Sequence, residues 1–166
     1  MDIEEIAKKR VKNLVSAKRY NHSLRVADLA KAIAIANKIN PEKAWLAGMY
    51  HDIAKEFEEW KILQLVGDNN TDHFPNIKTM HGLAGAAYIR NNFKINDSNI
   101  LRSIKDHVIP PKNISKMGKI VFIADKLEPG RLVPFTNRTN LIALAKVDLD
   151  LAFKRVIGEI QSSFED

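Results

Sequence analysis

The sequence predicts an all-α helical bundle. Three observations predict it: apolar residues recur at helical spacing through most of the 166 residues, the alternation of half-buried strands is missing, and cap or breaker residues fall where the apolar segments begin and end. A composition of 45% hydrophobic and 28% charged residues fits one domain with a sizeable core.

The first segment, residues 2–18, carries Ile3, Ala7, Val11 and Leu14 on one stripe, with its acids early and Lys8, Lys9, Arg10 and Lys12 late, as a helix dipole favours. The run Lys8-Lys9-Arg10 reads as a solvated face ahead of a nucleic-acid patch. A second helix is expected from about His22 to Asn40, with Val26, Leu29 and Ile33 on the face of His22. Pro41 suits the first turn of a third helix capped by Asn40, along which Ala44, Ala47, Gly48 and His51 share a stripe. Small residues there admit a neighbouring helix, and Asp52 follows at the C-terminal end.

Phe57, Trp60, Leu63, Leu65 and Val66 precede a polar loop, Gly67 to Asp72, and His73 beside Phe74-Pro75 reads as surface or substrate rim. His81 opens a segment containing Gly82, Gly85 and Ala86. Asn96-Asp97-Ser98 supplies caps for a helix on which Ile100, Ile104 and His107 share a face, ended by Pro110-Pro111. The run Ile120 to Ala124 suits a buried strand and a buried helix equally. After the turn Glu128-Pro129-Gly130-Arg131 and an irregular stretch at 132–137, one long helix is expected from Thr139 to Phe164, with Leu141, Leu144, Ala145, Leu149, Ala152 and Val156 as its core face.

Function turns on His51-Asp52. An imidazole and a carboxylate side by side offer a divalent cation one nitrogen and one oxygen, and no dyad holds a metal alone. His22, His81, His107 and Asp125 are the further ligands a fold could bring together. Each has a plainer reading. A histidine on an apolar face, such as His22, is commonly a satisfied core residue. Asp125, after five apolar residues, is costly to bury without a cation, yet a salt bridge to Lys126 or another base would serve as well. The joint order His…His-Asp…His…His…Asp is what carries the metal reading. With no cysteine in the chain, any metal must be held by nitrogen and oxygen, which favours iron or manganese without excluding zinc.

The net charge of +6 and a pI near 9.5 suit an anionic partner, either a nucleic acid or a phosphorylated small molecule. Lys55, about one turn past His51, suits phosphate as a point charge, and Arg131 suits it bidentately. Gly82 and Gly85 would let backbone amides approach an anion. The acidic start Met1-Asp2-Ile3-Glu4-Glu5 and the lack of a long apolar run point to a cytoplasmic protein with no membrane contact.

The stretches Arg19-Tyr20-Asn21-His22-Ser23-Leu24-Arg25-Val26, Ala47-Gly48-Met49-Tyr50-His51-Asp52-Ile53-Ala54-Lys55, His81-Gly82 and Ala124-Asp125-Lys126-Leu127-Glu128-Pro129-Gly130-Arg131 resemble the HD-domain metal-dependent phosphohydrolases. More narrowly, they are similar to the YqeK-type bacterial proteins, symmetrical diadenosine tetraphosphate hydrolases. The resemblance runs from about residue 19 to 131 and implies one HD domain across residues 1–166, an HD-type helical bundle. It implies His22, His51, Asp52 and Asp125 as metal ligands, with iron, one or two ions, as occupant and manganese, cobalt or zinc as substitutes. His81 and His107 would face the phosphates or help hold a second ion. Catalytic roles fall to His51, Asp52, Lys55, His81 and His107. Substrate contacts fall to Arg19, Lys55, His81, Gly82, Leu83, Ala84, His107, Lys126, Pro129, Gly130 and Arg131.

The implied reaction is hydrolysis of a dinucleoside tetraphosphate to two nucleoside diphosphates. One departure is visible: Val108-Ile109-Pro110-Pro111 follows His107 where the family commonly has threonine and glycine, which bears on local phosphate contacts and not on the ligands. Two other classes stay open, an HD hydrolase of nucleoside mono- or triphosphates and a non-catalytic RNA- or ribosome-associated basic module. The last lacks the exposed aromatic pairs on basic segments that single-strand binding uses, so a nucleic-acid partner is disfavoured. A homodimer is compatible with all three.

Overall fold

Side chains start helices by turning an oxygen onto the backbone N–H groups just ahead of them, Ser16, Asn40, Asp97 and Ser115 among them. The structure, a computed structural model, describes residues 1–68, 71–131 and 137–165. In order these form α1 (Ile3–Lys12), α2 (Ala17–Ala36), α3 (Pro41–Tyr50), α4 (Glu59–Val66), a 3-10 turn (Ile77–Met80), α5 (His81–Phe93), α6 (Ser98–Asp106), α7 (Lys116–Leu127), α8 (Arg138–Val147) and α9 (Leu149–Glu165). No strand occurs among the described residues, as the all-α expectation requires.

Boundaries differ from the sequence reading: the first segment, read over 2–18, is helical over Ile3–Lys12, which leaves Leu14 beyond the helix. Because Ser16 caps α2, that helix begins at Ala17, and His22 sits in its second turn rather than at its start. Ile120 to Ala124 lies inside α7, whose cap Ser115 accepts from Gly118 N–H at 3.0 Å. The single helix expected from Thr139 to Phe164 is two helices broken at Asp148, which leaves helical geometry at φ −146°, ψ 87°. Its carboxylate accepts from Leu151 N–H at 3.0 Å, the competition with backbone hydrogen bonding that makes aspartate a helix starter. The foreseen core face survives the break, since Leu141, Ala145, Leu149, Ala152 and Val156 are all buried. The irregular stretch at 132–137, apart from Asn137, and Asn69-Asn70 of the polar loop lie outside the described residues.

Two apolar clusters share α2, α3 and α7. Trp45, Tyr50, Ile53, Ile89 and Ile104 centre one, between α3, α5 and α6. Ile33, Ile123, Leu127, Leu141 and Val156 centre the other, between α2, α7, α8 and α9. In the run Lys8-Lys9-Arg10, Lys9 is exposed and its neighbours are half-buried, Lys8 pairing with Glu5 at 2.7 Å and Arg10 covering the Phe93 ring at 4.3 Å. No helix is long and apolar enough to cross a membrane among the described residues.

The small-residue stripe on α3 is a backbone contact. A Cβ added to Gly48 would lie 2.8 Å from Ala27 Cα and 3.0 Å from Ala27 N, so α2 and α3 touch main chain to main chain one turn before His51. Gly158, on α9, meets nothing within 4 Å. Gly48→Ala should therefore cost about 1–3 kcal/mol by overpacking, whereas Gly158→Ala should gain about 0.4–1 kcal/mol. Urea denaturation of the two variants beside the wild type checks both signs.

Candidate metal centre

Six of the residues singled out in the sequence meet in one buried cluster: His22 from α2, His51 and Asp52 at the end of α3, His81 from α5, His107 at the end of α6 and Asp125 from α7. Asp52 stands between two groups. Its Oδ2 lies 3.4 Å from His51 Nε2 and 3.7 Å from His22 Nε2. Its Oδ1 lies 3.1 Å from His81 Nε2 and 3.3 Å from His107 Nε2. Asp125 Oδ1 approaches His22 Nε2 at 3.1 Å and His51 Nε2 at 3.5 Å.

Helix ends decide which nitrogens face inward. His51 Nδ1 lies 2.6 Å from Gly48 O, His107 Nδ1 2.6 Å from Ile104 O, and His81 Nδ1 2.8 Å from Lys78 O. In each case the carbonyl is three residues back, at the last turn of α3, α6 or the 3-10 segment, where carbonyls lack helical partners. A carbonyl only accepts, so Nδ1 carries the hydrogen and Nε2 turns a lone pair inward. His22 sits inside α2, where no spare carbonyl is to hand, and its Nδ1 instead meets Glu128 Oε1 at 3.0 Å. Glu128 is 1% exposed and also accepts from Arg25 Nε at 2.5 Å and Gly130 N–H at 2.6 Å.

The result is acceptors facing acceptors. His81 Nε2 and His107 Nε2 are 3.2 Å apart and share Asp52 Oδ1, while His51 Nε2 is buried with no hydrogen-bond partner. Such a cluster needs positive charge at its middle. This donor set, nitrogen and carboxylate oxygen with each imidazole pre-oriented through its other nitrogen, fits a divalent transition metal. Without one, protons and bases stand in. Burial alone would lower the His51 pKa, but the Asp52 and Asp125 carboxylates override it and hold it up at about 10. Burial pushes His107 down to about 4, which keeps its inward nitrogen unprotonated. Burial would raise both carboxyls, yet Asp52 is held well below the usual range by His51, His107 and His81, and Asp125 by Lys126, His22 and His51.

The HD domain family profile matches residues 19–130, the span that contains every one of these ligands. The chain belongs to the HD-domain family. A crystal structure of a Clostridium acetobutylicum protein described as a predicted HD superfamily hydrolase involved in NAD metabolism superposes with a TM-score of 0.82 at 31% identity, covering 98% of this chain and 89% of that one. A Staphylococcus aureus protein named symmetrical bis(5'-nucleosyl)-tetraphosphatase is 36% identical over 155 residues, 90% of this chain and 78% of that protein. A Mycoplasma genitalium protein named probable nicotinate-nucleotide adenylyltransferase/Ap4A hydrolase is 37% identical over 161 residues. The chain spans less than half of that relative, 46% of its length.

The basic residues of this HD domain are placed less simply than the ligands. Arg19 pairs with Asp52 Oδ2 at 2.7 Å, Lys126 with Asp125 Oδ2 at 3.0 Å, and Arg131 with Asp125 Oδ1 at 2.8 Å. The plain reading of Asp125, a salt bridge to a base, thus holds alongside its place in the cluster. Lys55 is exposed, in a turn beyond the end of α3 rather than on its continuation, with no ion pair among the described residues. Lys18, Arg19, Arg25 and Arg131 line a cavity of about 310 Å³ that reaches His22, with Gly130 on its wall, while Pro129 is exposed beside it. His73 is exposed against Phe74, as a rim residue would be.

Gly82 is a close-packing position. A Cβ there would lie 2.7 Å from Ile104 O and 3.0 Å from Lys105 O, so this glycine lets α5 pack on the end of α6 and bring His81 to His107. Gly85 faces the Ile53 and Ile104 side chains, and the 3-10 turn runs directly into α5 at His81. Ala84 is buried with Gly82, and Leu83 alone of the three borders a cavity.

Sequence reasoning missed Glu128, Arg25 and Lys18. A signal existed: Arg25 follows His22 by three residues and Glu128 follows Asp125 by three, so each lies one turn along the same face as a ligand. Removing Glu128 should loosen the imidazole it holds. Glu128→Ala should weaken divalent metal binding roughly 10- to 100-fold, the usual effect of losing such a support, with Glu128→Gln retaining part of it. Calorimetric titration with Mn²⁺ measures this, and unchanged affinity in both variants would assign Glu128 to the Arg25 ion pair alone.

Proposed function

We propose that residues 1–166 act as one HD domain that hydrolyses dinucleoside tetraphosphates to two nucleoside diphosphates with a transition-metal cofactor, iron in the first instance. The observation that carries this reading is the convergence of four imidazole lone pairs on two buried carboxylates beside a cavity lined by four cationic side chains. The name of the Staphylococcus aureus relative supports the substrate.

His22, His51, Asp52 and Asp125 would hold the first ion, and His81 and His107 would share Asp52 for a second, with manganese, cobalt or zinc as alternatives to iron. A bound ion supplies Lewis acidity, making a water nucleophilic at neutral pH and neutralising charge on the phosphoryl group. The protein's own residues do the rest. Asp52 and Asp125, buried and ionised, keep the inward nitrogens aligned and present the negative charge that retains a cation. Arg19, Lys126 and Arg131 now neutralise those carboxylates, and a bound cation would free all three to grip phosphates on both sides of the cleaved bond. Lys55 is exposed and has no ion pair among the described residues. Arg25 is committed to Glu128 and serves the ligand His22. A cytoplasmic setting accompanies this reading, and a homodimer is compatible with it.

Product chromatography tests it. Attack beside the midpoint of diadenosine tetraphosphate gives ADP as the sole adenine product. Equal AMP and ATP would contradict symmetrical cleavage, and turnover of nucleoside mono- or triphosphates alone would replace the substrate class.

A further inference from the structure

The bases that line the cavity beside His22 are not equivalent. Arg19 is held on Asp52 at 2.7 Å, Arg131 on Asp125 at 2.8 Å and Arg25 on Glu128 at 2.5 Å. Lys18 lines the same cavity and is exposed, and its ammonium makes no hydrogen bond or ion pair among the described residues.

Lys18, His22 and Arg25 fall at i, i+4 and i+7 on α2, so they share the helix face that borders the cavity, which Gly130 and Arg131 complete. Lys18 stands four residues, about 6 Å along the axis, before the ligand His22. The backbone that carries it is pinned. The Ser16 hydroxyl accepts from Arg19 N–H at 3.2 Å, and the N–H and O–H of Ser16 donate to the two carboxylate oxygens of Glu56 at 2.8 and 2.6 Å. Glu56 thereby occupies the Ser16 groups that an anion at this helix start would otherwise use, which leaves the Lys18 ammonium as the donor offered at this end of the cavity.

Arg19 and Arg131 lie on the carboxylates of the centre, so the phosphates within their reach are those at the cleaved bond. Lys18, a turn of helix further out, is placed for the next phosphate along the chain. A point charge on a flexible stem suits a phosphate that no metal fixes and that needs no bidentate geometry. We propose that Lys18 is a specificity-determining residue that holds a phosphate outside the pair at the cleaved bond, and so favours the tetraphosphate bridge of a dinucleotide over a nucleoside diphosphate. The inference rests on the reading that the substrate is a dinucleoside polyphosphate. A two-phosphate ligand seats both phosphates at the centre and gains nothing from Lys18.

Metal-loaded full-length protein should be titrated calorimetrically with ADP and with a diadenosine tetraphosphate whose central bridging oxygen is replaced by methylene, which blocks cleavage at the midpoint. Lys18→Ala should weaken the four-phosphate ligand by about threefold or more and leave ADP unchanged, and Lys18→Arg, which keeps the charge, should restore most of the loss. An exposed side chain in the first turn of a helix is replaceable without loss of fold. No loss in Lys18→Ala would overturn the proposal, and so would an equal loss for both ligands, which would mark the general field of the cavity in place of a phosphate seat. Turnover of unmodified diadenosine tetraphosphate separates the two readings: its absence in wild type strikes the hydrolase reading, whereas turnover by wild type with unchanged analogue binding in Lys18→Ala strikes the role of Lys18 alone.

Discussion

The structure depends on one electrostatic demand: four imidazole nitrogens and two carboxylates, all buried, point their lone pairs at a common space. Six acceptors in a low-dielectric interior repel one another unless positive charge sits among them. Arg19, Lys126 and Arg131 lean on the carboxylates, and the carboxylates hold the His51 pKa up at about 10.

That demand explains where the helices stop. α3 and α6 end at the histidines because the last-turn carbonyls, left without helical donors, take up the Nδ1 hydrogens of His51 and His107. His81 repeats the device on the 3-10 turn. His22 cannot, since it lies inside a continuous helix, and a buried glutamate from α7 takes the carbonyl's place. Close packing is needed for these ends to converge, which is why Gly48 meets the Ala27 backbone and Gly82 the Ile104 and Lys105 carbonyls.

The buried histidine–aspartate cluster was legible in part because His51 and His107 repeat one local grammar, a histidine at the end of an apolar stripe. The helix starts were legible at Asn40 and Asp97, where an oxygen-bearing cap precedes the stripe, and not at Ser16 or Ser115. What was not legible depends on contacts between distant segments. Glu128 gains its role only when α7 lies beside α2, and Arg19, Lys126 and Arg131 read as free phosphate donors until the fold sets them against Asp52 and Asp125. The break at Asp148 was hidden by an apolar pattern that continues in phase across it, the one local clue being an aspartate that can cap the helix it starts.

Asp52 is the residue both histidine groups share, so metal content as a function of Asp52 tests the account most directly. Protein made without a histidine tag in iron- and manganese-replete medium should carry a transition metal by elemental analysis, and Asp52→Ala, folded by circular dichroism, should carry almost none. Equal metal in the two proteins, or none in the wild type, would contradict the metal centre described here.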